Sequence, residues 1–241
     1  MPGGILEAAG FRIHQNPQGG LMLKLAAALI TGLTAMGGWA VVTVKDLPEY
    51  VVAGRQYTLE FQVRQHGRTL LNGLHPRLEM RSTQRDLGSV AAVPKGQEDG
   101  TYTVTFTAPA PAPAADGLVL TLQSGFGNSE LHLYPVAVVA SGASRPPMAL
   151  AERGQALFVA KGCNTCHANS DLSSRPDNTE LTVGPALGSR HLPSQLVIQK
   201  VKHPASETMP DLRLTDAEAA AIAAFVSGER ATTAGEASGR P

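Results

Sequence analysis

The sequence predicts two domains, an all-β sandwich followed by an all-α domain, and two patterns support this prediction. Between residues 37 and 140, apolar residues alternate with polar ones, which is the period of a half-buried strand. From residue 149 onwards, apolar residues recur at helical spacing. With 241 residues, of which 43% are hydrophobic, the chain is long enough to build two ordinary cores.

Residues 1–36 are interpreted as an upstream segment plus an export signal. Lys24 precedes an uncharged run from Ala26 to Val44, and small residues follow its apolar part. An apolar helix ending near Met36 has the length of a cleaved signal peptide, but the whole run is also long enough for a membrane anchor. Either interpretation places the protein in the periplasm or on the outer face of the cytoplasmic membrane. Only the anchor would attach it to the membrane.

The predicted sandwich occupies residues 37–140. Its first strand is the β-branched run from Trp39 to Val44. Alternating segments then predict further strands around Tyr57–Val63, Tyr102–Phe106, Leu118–Leu122 and Leu131–Val139. The spacing of the turns between these strands predicts about seven strands in all. The turns are predicted at His66-Gly67, Asn72-Gly73, Asp86–Gly88, Lys95–Gly100 and Ser124–Asn128. The Ala-Pro repeat at 108–114 is predicted to be a stiff loop between two strands.

A Ser, Gly and Pro-rich linker at 141–148 is predicted to separate the sandwich from an all-α domain at 149–228. The first helix is predicted from Ala149 to Lys161, ended by Gly162, with Gly154 small enough to let another helix cross closely. Thr215 and Glu218 form a capping box that opens a last helix from Asp216 to Ser227. In this arrangement Phe158 and Phe225 are expected to touch, and residues 229–241 are expected to be a disordered tail.

The run Cys163-Asn164-Thr165-Cys166-His167 is the strongest chemical signal in the chain, because Cys-x-x-Cys-His is the pattern on which haem is covalently attached. Two thiols at this spacing can add to two neighbouring vinyl groups, and the adjacent imidazole then lies over the iron. The alternatives are a redox dithiol, part of a zinc site or an incidental cysteine pair. The chain has only two cysteines, and His167 is too close to Cys166 for an ordinary zinc-finger spacing.

Residues 149–228 resemble the class I cytochrome c family. The resemblance rests on ordered motifs: Arg153–Phe158, Cys163–His167, Gly184-Pro185-Ala186-Leu187, Met209-Pro210 and Leu214–Glu218. It implies one covalent haem c on Cys163 and Cys166 with His167 as proximal ligand. It also implies that the Pro185 carbonyl accepts the other imidazole proton and that Leu187 lines the haem.

The sixth iron ligand is expected to be Met209, with His191 and His203 as the alternatives. The resemblance favours Met209, which lies in a polar loop just before a capped helix. A thioether is a soft donor that favours ferrous iron, so His/Met ligation raises the reduction potential. Both axial positions are then filled, which favours electron transfer over catalysis. The protein is therefore predicted not to be an enzyme.

The β segment loosely resembles the exported Ig-like domains of the YtkA-like type. The matching runs are Gly38–Pro48, Val52–Gly54 and Ser124–Asn128, and the resemblance implies a role in the cell envelope. Copper ligands can be imagined among four scattered residues, which are His66, His75, Met80 and His132. They show no clustering, so surface histidines and a packed methionine are the favoured interpretation.

Charge and motifs together predict a monohaem electron carrier. Twenty Lys plus Arg balance twenty Asp plus Glu, so no net field points to nucleic acid. The expected partners are redox proteins of a respiratory chain, such as an oxidase or a quinol-oxidising complex. The alternative is a haem-handling or copper-handling protein that assists an oxidase, in which the β domain binds a metal or a partner.

Overall fold

The structure, a computed structural model, describes residues 38–82, 85–111, 117–175, 183–188, 190–206 and 208–228. The predicted signal or anchor at 1–36, the predicted tail at 229–241 and part of the proline-rich loop lie outside the described residues. None of the described helices has the length and apolarity needed to cross a membrane. A β-rich region over 40–139 precedes a helical region over 150–226, which confirms the predicted order of fold classes.

The described part of the β-rich region contains eleven short strands. They are β1 Ala40–Val44, β2 Tyr50–Val52, β3 Gln56–Gln65, β4 Thr69–Leu70, β5 Arg77–Arg81, β6 Asp86–Ala91, β7 Val93–Pro94, β8 Thr101–Thr107, β9 Val119–Gln123, β10 Glu130–His132 and β11 Ala137–Val139. One sheet has the order β1-β3-β8-β7 with β4 on β3, and a second has the order β10-β9-β5-β6. A small parallel pair joins β11 to β2.

The core lies between the two larger sheets. In the antiparallel pair β3 and β8, Leu59 is opposite Val104 and Phe61 is opposite Tyr102. These inward residues pack in one core with the buried leucines of β5 and β9, which are Leu78, Leu120 and Leu122. The alternation seen in the sequence is therefore the alternation between core and outer faces. The narrower Ig-like assignment stays a prediction.

One predicted turn is wrong: Asp86–Gly88 lies inside strand β6. The residues that resemble a turn form a local irregularity of the strand instead. Gly88 has a φ of +90°, its amide donates to the Asp86 carboxylate at 2.8 Å, and the register with β5 shifts between Glu79 and Arg81. A bulge of this kind uses the same residue types as a turn, so the local sequence does not separate the two.

The helical region contains three described α-helices, α1 Leu150–Ala160, α2 Ser194–Lys202 and α3 Asp216–Val226, with 3-10 turns at Cys163–Thr165 and Ser170–Leu172. Thr215 and Glu218 form the predicted capping box at the start of α3. Helices α1 and α3 cross at Gly154, where an added Cβ would lie 1.8 Å from the carbonyl oxygen of Ala221. The rings of Phe158 and Phe225 meet edge to face at 5.5 Å, as predicted.

Helix α2 has no counterpart in the sequence predictions. Only Val197 of its nine residues is fully buried, but Ile198 and Val201 also pack against the core. Their helical spacing is a signal in the sequence that was missed. The predicted linker at 141–148 contains no helix or strand, and nearly all of it is exposed.

Candidate functional site

The Cys-x-x-Cys-His motif lies directly after the end of α1. Lys161 is the C-cap of this helix, and Gly162, with a φ of +72°, turns the chain into the 3-10 turn Cys163–Thr165. Only a residue that tolerates a left-handed conformation can make this change of direction without strain. The His167 amide then donates to the Cys163 carbonyl at 2.9 Å, which holds both cysteines and the histidine in one compact loop.

A mostly apolar cavity lies against this loop and brings together distant parts of the chain. Of the residues predicted for the site, it is lined by Cys163, Cys166, His167, Pro185 and Met209. The remaining lining is dominated by aliphatic side chains, including Val41, Val183, Val201, Leu212 and Leu214. Val183 is 39% exposed, so the cavity opens to solvent on that side.

The His167 ring is held in one orientation by the Gly184-Pro185 segment. Its Nδ1 lies 2.9 Å from the Pro185 carbonyl oxygen, which is the contact that the family resemblance implied. A carbonyl can only accept, so Nδ1 carries the proton and the lone pair of Nε2 is free to bind a metal. Gly184 lies so close that an added Cβ would be 2.4 Å from His167 Cε1.

The other predicted site residues lie elsewhere. Leu187 is partly buried and packs against the hydrophobic core, but it is not among the described residues that line the cavity, so its haem contact stays a prediction. His203 is the exposed C-cap of α2, and His191 is exposed beside Gly228. Neither histidine lines the cavity, whereas Met209 does.

The chemistry of the two thiols weighs against a redox dithiol. Burial, with a smaller contribution from Cys166, raises the pKa of Cys163 to about 12, and burial also raises the pKa of Cys166. A dithiol oxidoreductase needs the opposite shift, because the thiolate is the attacking species. Nor does the described part of the chain contain a group of three or more His, Cys, Asp and Glu residues placed to hold a metal ion, which weighs against a zinc site.

The four residues considered as copper ligands are also dispersed. Met80 is buried in the core between the sheets, and His66 lies beside the ring of Trp39 at 5.3 Å. His132 contacts Thr121 and Glu130, and His75 lies next to Gly125. Surface and packing roles account for all four positions.

Sequence reasoning missed one part of the site, the contribution of strand β1. Val41 is 3% exposed and lines the cavity, although it belongs to the β-rich region. The signal was present in the composition of β1, which has four apolar residues and one threonine, all five of them buried. A strand that lacks alternation is usually covered on both faces.

The fold and the site together define a c-type cytochrome domain. Two thiols, an oriented imidazole and a thioether on an apolar cavity fit a covalently attached haem, and they do not fit a hydrated metal ion. Residues 149–226 match the family model of cytochrome c oxidase, cbb3-type, subunit III. Domains of this family bind haem c covalently and are electron carriers, so the cofactor of this domain is haem c.

No curated protein matches the chain. Similarities to solved structures are weak. The native conformation of E. coli alpha-2-macroglobulin matches at 19% identity over 43% of this chain, with a TM-score of 0.34. The match covers only 6% of that protein. Superoxide reductase (neelaredoxin) from Ignicoccus hospitalis matches at 18% identity, over 41% of this chain and 80% of its own, with a TM-score of 0.28. Its T24K form matches at 16% identity, over 44% and 86%, with the same score. Similarities of this size carry no conclusion about function.

Proposed function

We propose that this protein is a monohaem electron carrier of the cell envelope that exchanges electrons with an oxidase or a quinol-oxidising complex. Cys163 and Cys166 would form the two thioether bonds to a haem, and His167 and Met209 would bind its iron. The proposal rests on one observation: Met209 and His167 line the same apolar cavity, and His167 Nδ1 donates a hydrogen bond to the Pro185 carbonyl oxygen. The match of residues 149–226 to an oxidase subunit family supports the class of partner.

Each side chain has a defined task in this function. The Pro185 carbonyl fixes the tautomer and the orientation of His167 and increases the basicity of Nε2. The aliphatic lining makes the site mostly apolar, and Met209 supplies a soft donor. When bound, the haem supplies a one-electron couple whose potential is set by the axial ligands and the burial of the site.

The described lining of the cavity contains few groups that could act as an acid or a base. Apart from the two cysteines and His167, the only ionisable residue among its described lining is Lys161. The Lys161 amine is held by Glu218 at 2.7 Å and by the carbonyl of Lys45. Among the described lining residues there is no carboxylate to accept or donate a proton in peroxide chemistry, which supports outer-sphere electron transfer.

Two experiments test this function. After acid-acetone extraction of the denatured protein, haem should remain on the chain, and its release into the organic phase would contradict thioether attachment. Met209→Ala should keep the covalent haem, abolish the long-wavelength sulfur-to-iron absorption band, admit imidazole or carbon monoxide, and lower the reduction potential. Met148→Ala is the matched control, because Met148 is partly buried outside the cavity.

A Met209→Ala protein that keeps the wild-type potential and still refuses external ligands would assign the sixth position to His191 or His203. The location outside the cytoplasmic membrane is tested separately by N-terminal sequencing of the protein from a cell-envelope fraction. A mature N-terminus shortly after residue 35 indicates a cleaved signal. Retention of residues 22–36 in the membrane fraction indicates an anchor.

A further inference from the structure

Strand β1 presents different residues to two different environments. Ala40, Val42 and Val44 pack into the hydrophobic core, and Val42 does not line the cavity. Val41, on the opposite face of the strand, lines the cavity that holds Cys163, Cys166, His167 and Met209. Thr43 points the same way as Val41, and its hydroxyl donates to the Lys161 carbonyl at 3.4 Å.

The β-rich region also contacts both sides of the predicted haem ligands. On the proximal side, a Cβ added to Gly162 would lie 2.6 Å from Val41 Cγ1 and 2.7 Å from the Val42 carbonyl oxygen. On the distal side, a Cβ added to Gly67 would lie 3.3 Å from the Thr208 carbonyl oxygen and 4.0 Å from Pro210 Cδ. The turn that contains Gly67 therefore lies against the residues before and after Met209.

Buried polar contacts fix this arrangement. The Lys161 side chain is 4% exposed, and its amine is shared between Glu218 of α3 and the carbonyl of Lys45 after β1. Arg153 of α1 donates to the Leu47 carbonyl at 2.6 Å. A buried charge separated from its partners is costly, so these contacts oppose any separation of β1 from the end of α1.

We propose that the β-rich region supplies a wall of the haem pocket: Val41 contacts the haem, and the turn at Gly67 holds the Met209 loop closed. This inference rests on the proposed function of the helical region and assigns the β-rich region a direct part in setting the redox site. It makes Val41 and Gly67 positioning residues for the Met209 ligand.

Two physical consequences follow from this wall. An apolar cover lowers the local dielectric and disfavours the extra positive charge of ferric iron, which raises the reduction potential. A closed loop also keeps external ligands out, because imidazole can bind only to the fraction of molecules in which Met209 has left the iron. The apparent affinity for imidazole is proportional to that open fraction.

The first test compares Val41→Ala with Val42→Ala in the full-length haem protein. Both variants remove the same two methyl groups from neighbouring positions of one strand, but only Val41 faces the cavity. Val41→Ala should lower the reduction potential and tighten imidazole binding by about threefold or more. Val42→Ala should lower the midpoint of chemical unfolding and leave the potential and the imidazole affinity unchanged. Equal potentials and affinities in the two variants would overturn the contact between Val41 and the haem.

The second test compares Gly67→Asn with Gly73→Asn. The two glycines have φ values of +72° and +70°, a conformation that asparagine tolerates. Unlike Gly67, Gly73 has no atom of a described residue within 4 Å of its added Cβ. Gly67→Asn should push against Thr208 and weaken the sulfur-to-iron band. It should also speed hydrogen exchange at the backbone amides of Met209, Asp211 and Leu212. Gly73→Asn should change neither property. Identical exchange rates and spectra in the two variants would overturn the role of the turn.

These outcomes are separable from a failure of the proposed function. If haem is not covalently attached, or if Met209→Ala has no effect on ligand binding, the proposed function itself fails. If both of those results are as expected and the paired variants behave alike, only the wall formed by the β-rich region is refuted.

Discussion

Replacement of Gly154 by alanine sets two opposing effects against each other in the helical domain. In an average helix interior, Gly→Ala stabilises by about 0.5–1 kcal/mol, because glycine loses more backbone entropy on folding. Here the added Cβ would lie 1.8 Å from the carbonyl oxygen of Ala221, 2.5 Å from its carbonyl carbon and 3.0 Å from Phe225 Cβ. The closest neighbour is backbone, which cannot rotate away as a side chain can.

The structure decides which effect is larger. The gap between Gly154 and Ala221 must widen by more than 1 Å before the closest contact, now 1.8 Å, becomes tolerable. Overpacking of this kind costs about 1–3 kcal/mol, and a rigid neighbour places the cost near the upper end. Since the gain in propensity offsets at most about 1 kcal/mol, we expect a net loss of about 2 kcal/mol. Because the helical and β-rich regions share one hydrophobic core and unfold together, that loss lowers Tm by about 4–8 °C.

Chemical and thermal unfolding of the haem protein measure this loss of stability. Unfolding is monitored by far-UV circular dichroism and by the Soret absorption of the attached haem. Ala151→Gly is the control, because it makes the reverse change in the first turn of the same helix and should cost about 1 kcal/mol or less. The Phe158 and Phe225 rings, 5.5 Å apart, should lose their contact as the helices separate. A Gly154→Ala protein that is as stable as the wild type, or more stable, would refute the close crossing of α1 and α3.

Three further outcomes are expected. Burial raises the pKa of Glu218, but hydrogen bonds from Lys161 and the Thr215 amide outweigh it, so the folded pKa is lower than the usual value. Stability from this carboxylate is therefore present above about pH 4.5 and lost as the pH falls through the folded pKa. In denaturation experiments between pH 6 and 3, the free energy of unfolding should fall more steeply for the wild type than for Glu218→Gln. The substitution keeps the capping geometry. Thr215→Ala should cost about 1 kcal/mol in urea unfolding and leave the reduction potential unchanged, because the cap lies at the start of α3. Gly184→Ala should displace the His167 ring, because the added Cβ would lie 2.4 Å from its Cε1 atom. Electrochemistry should therefore detect a changed reduction potential. An unchanged potential would contradict this close contact.

Local signals in the sequence account for much of the haem-binding chemistry. The order and spacing of Cys163, Cys166 and His167 are set by the covalent sequence itself. Gly162, after the end of α1, makes the turn that leads into them. The capping box at Thr215 depends on residues three positions apart, so the sequence predicts it directly. The alternation in β3 and β8 likewise predicts which side chains enter the core, since one face of each strand is polar.

Tertiary structure decided what local patterns leave open. Asp86–Gly88 has the composition of a turn, and only its pairing with β5 makes it a bulged strand. For this segment the deciding interaction comes from a neighbouring element, which residue preferences do not encode. Helix α2 differs, because Val197, Ile198 and Val201 contact the core at helical spacing. Its sequence therefore carries an amphipathic signal that was missed.

The site shows the same division between local and distant information. The sequence by itself determined the residue types that can hold haem c, because thioether attachment needs two thiols and an imidazole at fixed spacing. Only the tertiary structure brought Pro185, Met209 and Val41 to the same cavity. Val41 lies more than a hundred residues before Cys163, and its apolar side chain has no distinguishing chemistry of its own. Its place in the site depends on the packing of β1 against Gly162, where the absence of a side chain lets the two backbones approach.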